Sequence, residues 1–426
     1  MTSRDARPPL RRAAIIAVGS ELLTPYRTDT NSLHITERLN SVGIDVVVKT
    51  IVGDDREELA EAFRAARRRV DLIVFSGGLG PTDDDITREV VASVLGLPVQ
   101  EDPAITETIR ARFVARGFTT PMPEINRRQA MVPAGATVLP NTRGSAPGLL
   151  LEDEGRLVLL LPGPPREMTP MLAALIEGPL AARAGGAVLR RRVLKITGRV
   201  ESHTDEALAP LYREWERQTP PIAATILAAL GQIEVHLWMR ASPATAETAL
   251  DAAVAQAGAV LGEDVFSIDG RSLEQVVGDM LAERGLQIAL AESCTGGLIT
   301  SRLTDVPGSS RYVRHSIVAY GNDAKTGLLG VQAAVIAEHG AVSEQVALAM
   351  ADGIRSHTAV DVGVGVTGIA GPGGGSPEKP VGTVAIAALT ATAALSRVYR
   401  FNGDREQIKF QASQAALDMV RRMLQP

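Results

Sequence analysis

The chain has 426 residues, 45% of them hydrophobic and 22% charged, with a formal net charge of −5. That length exceeds what one hydrophobic core usually supports, so two or three domains are expected, and the acidic balance argues against a general nucleic-acid binder. A single cysteine excludes an internal disulfide and a cysteine-based zinc site, and it fits a reducing cytoplasm.

Met1–Pro9 reads as a frayed start. The apolar stretch after it is cut short by Gly19 and Glu21, so it is not a signal peptide. No apolar run approaches the ~20 residues that span a bilayer, so a cytoplasmic protein with no membrane partner is expected. Ala13–Val18 is a buried strand, followed by a helix from Asn31 to about Val42 behind the cap-type residue Thr30. Val46–Val52 is a second strand, and Asp54 and Asp55 open a charged amphipathic helix through Arg69. Val70–Phe75 and Arg156–Leu161 are further strands, the latter leading through Pro162–Pro165 into a helix over Arg166–Ile176. Strand and helix in alternation predict an α/β fold with a parallel, doubly wound sheet over 12–178.

Glu177-Gly178-Pro179 and Ala184-Gly185-Gly186 mark a break, after which 186–266 reads as a small α+β connecting domain. It holds strands at Val193–Thr197, Thr225–Ala229 and Gln232–Met239 and an alanine-rich helix. The last α/β domain, 270–426, opens with a helix over Ser272–Arg284 and a strand Gln287–Leu290. Ser316–Tyr320, Val360–Thr367, Val381–Leu389 and Arg397–Phe401 are its other strands, with helices at Ser343–Thr358 and Glu406–Leu424.

Two places carry chemistry. In the first domain, Gly77, Gly78 and Gly80 follow a buried strand, where backbone amides can cradle a phosphate or a pterin-type ligand. Asp83, Asp84 and Asp85 come next, and Asp84 and Asp85 are the expected ligands of a hard divalent cation. The same run also suits the positive end of a helix. Asp54 ends the second strand at the same sheet edge, and the tight loops of Ser145 and Pro162–Pro165 complete the rim.

In the last domain, Ser293 stands where a strand gives way to a helix, in Glu292-Ser293-Cys294-Thr295-Gly296-Gly297. Such a turn exposes a hydroxyl beside free backbone amides able to hold an oxyanion, although a helix N-cap asks for the same residue type. No histidine claims the role of base. Lys325 is the candidate, because a buried lysine loses its proton near neutral pH and Ser–Lys pairs vary the triad logic. Tyr320 is a candidate proton relay, and Cys294 a rival nucleophile. Thr295, Gly296 and Gly297 are expected to line the substrate. So are Gly371, Gly373 and Gly374 of the Gly368–Gly375 loop, with Arg405 supplying positive charge to a phosphate.

AESCTGG (291–297), VPGSS (306–310), AYGNDAK (319–325), HGAVS (339–343), TGIAGPGGG (367–375), KPVGTV (379–384) and NGDR (402–405) occur in this order. Together they resemble the C-terminal domain of the CinA (competence/damage-inducible protein) family, a nicotinamide mononucleotide deamidase that uses no cofactor. The resemblance implies that Ser293, Tyr320, Lys325, Thr367 and Arg405 belong to the site, whether Ser293 attacks or orients. VGSELL (18–23), DTN (29–31), SGGLGPTDDDIT (76–87), NRRQAMVP (126–133), GSAPG (144–148) and LPGPPREM (161–168) likewise resemble the family's N-terminal domain, which shares the MoaB/MogA molybdopterin-binding fold. It implies catalytic roles for Asp54 and Asp85 and hydrolysis of ADP-ribose with magnesium, manganese or cobalt. Pro25 departs from the glycine usual there, which puts the loop before Asp29 in doubt. The expectation is a bifunctional pyridine-nucleotide salvage enzyme, by default a homodimer. Its alternatives are a deamidase whose first domain only senses a pterin or nucleotide, and a non-catalytic adaptor for DNA uptake.

Overall fold

A computed structural model describes residues 8–115, 121–185 and 187–425. Most of the expected frayed start, Gly186 of the expected break and Pro426 lie outside the described residues. Two compact units emerge: one runs to Arg190 and takes in Met239–Glu247, and the other takes Arg191–Trp238 and Thr248 onward.

The first unit contains β1 (Arg12–Val18), α1 (Asn31–Ser41), β2 (Asp45–Val52), α2 (Arg56–Arg67), β3 (Leu72–Ser76) and α3 (Thr87–Leu95). It continues with β4 (Val99–Glu101), α4 (Pro103–Ala115), β5 (Met131–Pro133), β6 (Thr137–Leu139), β7 (Gly148–Asp153), β8 (Arg156–Leu161), α5 (Pro165–Leu175) and α6 (Ala181–Arg183). Asp55 caps α2, its side chain accepting from the Glu57 and Glu58 amides at 2.9 Å. The sheet runs β2-β1-β3-β8-β7-β6. Alternate residues of β1 feed two cores, with Ala14 and Ile16 on one face and Ala13 and Ile15 on the other. Burial on both faces is what a parallel sheet requires.

The parallel expectation holds for β2, β1, β3 and β8 and fails beyond them, since β7 and β6 pair antiparallel. The cause is local. Glu154 and Gly155 adopt φ of 48° and 85°, a two-residue turn that joins only antiparallel strands. The parallel strands β1, β2, β3 and β8 all end at one edge, where ligands of open α/β sheets bind.

The connecting segment forms β9 (Val188–Ile196), α7 (Glu201–Arg217), β10 (Ile222–Ala229), β11 (Gln232–Ala241), α8 (Pro243–Leu261) and β12 (Val265–Ser267). Its strands are ordered β10-β11-β9-β12, an α+β arrangement.

The remainder contains α9 (Leu273–Glu283), β13 (Ile288–Glu292), α10 (Leu298–Thr304), β14 (Val313–Val318), α11 (Asn322–Leu329), α12 (Ala333–His339) and α13 (Glu344–Thr358). It closes with β15 (Val362–Gly368), β16 (Thr383–Leu389), β17 (Ala394–Arg400) and α14 (Arg405–Met423). The order is β14-β13-β15-β16-β17, with β14, β13 and β15 parallel and the last two strands antiparallel. Capping boxes at Ser272/Gln275 and Asp404/Gln407 start α9 and α14. Among the described residues no helix is long and apolar enough to cross a membrane.

β15 reads Val-Gly-Val-Gly-Val-Thr-Gly, and its first two glycines, Gly363 and Gly365, face α13. A Cβ on Gly365 would collide with the Ala347 carbonyl and stand 2.7 Å from the Ala351 amide nitrogen. Helix and sheet therefore meet backbone to backbone, which places the end of β15 beside β13. Gly365→Ala is predicted to destabilise the protein by about 1–3 kcal/mol, read from the denaturant midpoint. Gly258→Ala in α8, where a Cβ meets nothing within 4 Å, is predicted to stabilise it by up to about 1 kcal/mol.

Candidate active site

β13 carries five consecutive buried residues, the last of them Glu292. A fully buried carboxylate must be satisfied, and Glu292 is. It accepts from the amides of Gly297 (2.9 Å), Ile299 (3.2 Å) and Thr300 (2.9 Å) and from the Thr300 hydroxyl (2.7 Å). The carboxylate thereby folds the turn 293–297 back onto β13 and caps α10. Ser293 is not the helix cap, since Gly297 holds that position, and three of the amides at the helix start serve Glu292. Glu292 itself was missed by sequence reasoning. Its signal was an acid at the end of an otherwise apolar strand.

Ser293 is held by its amide on the Val366 carbonyl at 2.9 Å. Its hydroxyl accepts from Lys325 Nζ at 3.1 Å. Lys325 is 2% exposed and also donates to the carbonyls of Ala319 (3.0 Å) and Tyr320 (3.2 Å). No carboxylate pairs with it among the described residues. Burial pulls the amine below the usual lysine range, with nearby Cys294 and Asp323 opposing. The two carbonyls have a chemical consequence. A neutral amine keeps two N–H donors and one lone pair. If the donors serve Ala319 and Tyr320, the lone pair is left for the Ser293 hydroxyl proton.

Tyr320 does not occupy the relay position. Its backbone carbonyl, not its phenol, meets Lys325. The side chain is 59% exposed, and its hydroxyl accepts from Arg405 at 2.7 Å. Arg405 also donates to the Gly371 carbonyl at 2.7 Å, so it straps the glycine loop to the end of β14. Gly373 and Gly374 lie exposed in that loop. Thr367 is buried and donates to the Ala341 carbonyl at 2.8 Å. Thr295 is buried with its hydroxyl unpartnered among the described residues, and Gly296 and Gly297 complete the turn. The rival nucleophile loses on energetics, because burial pushes the Cys294 thiol up to about 12 and keeps it protonated at neutral pH.

In the first unit, a cleft of about 540 Å³ opens at the C-terminal edge of the parallel strands. Asp54, Gly77, Gly78, Gly80, Asp84, Asp85 and Ser145 all line it, together with Asp29 and Asn31. Asn31, expected only as a cap-type residue opening α1, ties three loops by donating to Ser76 Oγ (2.9 Å) and the Gly163 carbonyl (2.7 Å). Two further cations hold the aspartate loop. Arg88 donates to the carbonyls of Leu79 and Arg128, and Arg128 reaches the Thr82 carbonyl and Asp83. Burial brings Arg88 down to about 10.

Asp84 and Asp85, the expected metal pair, both line the cleft. Asp85 accepts from the Gly80 amide (2.6 Å), the Thr82 amide (2.9 Å) and the Thr82 hydroxyl (2.6 Å), so both its oxygens serve the loop. Asp54 exchanges hydrogen bonds with Ser20. Hydrogen bonding from Thr82, aided by the Arg128 charge, holds Asp84 below the usual carboxylate range. Among the described residues no three His, Cys, Asp or Glu side chains converge; a hard cation held by one or two carboxylates and substrate phosphates needs no such cluster. Pro25 lies in the turn after the 3-10 segment Ser20–Leu23, and Asp29 still reaches the cleft while capping α1 through the Ser32 amide at 3.0 Å.

Residues 14–182 match a family model described as a probable molybdopterin binding domain, and 270–424 match the CinA C-terminal domain. A CinA-like protein of Koribacter versatilis is 46% identical over 417 residues, covering 97% of this chain and 99% of that one. A putative competence-damage inducible protein of Desulforudis audaxviator is 42% identical over 417 residues, with the same 97% and 99% coverage. A crystal structure of the competence/damage inducible protein CihA from Agrobacterium tumefaciens is 41% identical, covers 36% of this chain and 94% of that one, and has a TM-score of 0.36. Similar to the Koribacter and Desulforudis proteins over nearly its whole length, with a molybdopterin-binding-type domain first and a CinA domain last, the chain belongs to the CinA family.

Proposed function

We propose that the C-terminal domain is an amidohydrolase converting nicotinamide mononucleotide to nicotinic acid mononucleotide and ammonia. The observation that carries this reading is Lys325 Nζ, buried without a counter-ion among the described residues and 3.1 Å from Ser293 Oγ. Neutral Lys325 takes the Ser293 proton as Oγ bonds to the carboxamide carbon, and the carbonyl oxygen becomes the oxyanion. Collapse breaks the C–N bond, and the ammonium of Lys325 returns its proton to the departing nitrogen, which leaves as ammonia. Water then attacks the ester. Lys325 takes the water proton and passes it to Ser293, freeing the acid.

For the N-terminal cleft, the engagement of Asp85 by its own loop favours binding of a pterin or nucleotide over metal-dependent pyrophosphate hydrolysis. The Gly78 and Leu79 amides at the sheet edge suit the ligand's phosphates, those of Gly77 and Gly80 being held by the Leu161 carbonyl and Asp85, and Asp85 keeps that loop in shape.

Four outcomes follow from these roles. Ser293→Ala and Lys325→Met each lower ammonia release from the mononucleotide by about 10²–10⁴-fold or more, whereas Cys294→Ala stays close to wild type; normal turnover by folded Lys325→Met overturns the base assignment. Because only the unprotonated amine is active and burial lowers its pKa, kcat/KM rises with pH and levels off below the ordinary lysine range. Lys325→Arg, protonated throughout, has no such limb. Asp85→Ala weakens nucleotide binding in the first domain about tenfold by calorimetry, and ADP-ribose yields no AMP with magnesium, manganese or cobalt. Metal-dependent AMP release would restore the hydrolase reading.

A further inference from the structure

The reaction above leaves one cation beside the site without work. Lys409 lies on α14 four residues after Arg405, so the two side chains share one face of the helix. It is half-buried, and no hydrogen bond or ion pair engages its ammonium among the described residues. Its Nζ stands 3.7 Å from where a Cβ on Gly296 would sit. Gly296 in turn donates its amide to the Ser293 carbonyl at 3.1 Å, so the ammonium approaches the same turn that carries the nucleophile. Gly296 adopts φ +62°, a conformation that favours glycine, and its missing side chain leaves the approach open.

Arg405, by contrast, is committed to two neutral acceptors, the Gly371 carbonyl and the Tyr320 hydroxyl. It shapes the wall of the site while Lys409 keeps its charge uncompensated. A half-buried cation with no partner is costly, and a phosphate dianion is the ligand that offsets the cost, with lysine acting as a point charge. We propose that Lys409 is the phosphate-recognising residue of the C-terminal site and selects a nicotinamide mononucleotide over the corresponding nucleoside. The proposal rests on the deamidase reading. It moves the main phosphate contact from Arg405 to a residue one turn further along the helix.

The test uses the full chain with Lys409→Met and Lys409→Arg. Lys409→Met is expected to raise KM for the mononucleotide about tenfold with kcat little changed. It should cut the preference for mononucleotide over nicotinamide riboside, which carries the same carboxamide without phosphate, by a similar factor. Inhibition by inorganic phosphate should weaken in parallel, and Lys409→Arg should restore all three. An unchanged KM and unchanged phosphate inhibition in folded Lys409→Met overturn the proposal, as does a loss confined to kcat that arginine does not rescue. Should wild type release no ammonia from the mononucleotide, the deamidase reading fails instead. Calorimetry with inorganic phosphate then decides Lys409 separately, and equal affinity in wild type and Lys409→Met overturns its role.

Discussion

A lysine amine shut away from water and facing a serine hydroxyl is the contact on which the C-terminal domain depends. Burial removes the solvation that favours an ammonium, and no carboxylate among the described residues stands in for it. Two main-chain carbonyls, from Ala319 and Tyr320, instead hold the nitrogen in a fixed orientation. The geometry asks the lysine to be a base and gives it one direction in which to act. Much of the surrounding fold keeps those two side chains opposed.

Three features do that. Glu292 draws the turn 293–297 against the start of α10, so Ser293 leaves β13 at a set angle. The amide of Ser293 is pinned to β15 through Val366. β15 in turn carries glycine where α13 crosses it, which lets helix and sheet close to backbone contact. Arg405 then joins the Gly371 loop to Tyr320 across the mouth of the site. The N-terminal cleft is built by the same logic with a different result. There Asp54, Asp85 and the arginines Arg88 and Arg128 hold loops, and the Gly78 and Leu79 amides face a ligand without an acceptor of their own among the described residues.

Much of this was legible in the amino-acid order. Apolar runs and cap residues placed the elements because both act locally, and Ser293, Lys325, Arg405 and the glycine loops stood out because their residue types are costly anywhere else. What escaped depended on how distant segments meet. The antiparallel pairing of β7 and of β16 with β17 follows from turns and crossovers that periodicity does not encode. Tyr320 offers Lys325 its carbonyl rather than its phenol because the chain turns into α11 just there. That Asp85 also holds its own loop shows only once Gly80 and Thr82 fold back onto it. Lys409 is one more lysine on an amphipathic helix until Gly296 is seen opposite.

The central claim is that Lys325 is a base because it is buried, and one observation addresses it without substrate. In the full chain with ¹³Cε-labelled lysine, an NMR pH titration should show one resonance that loses its proton below the ordinary lysine range and vanishes in Lys325→Met. If the resonance lost in Lys325→Met titrates with the surface lysines instead, the amine is an ammonium at working pH and the account of Ser293 activation is wrong.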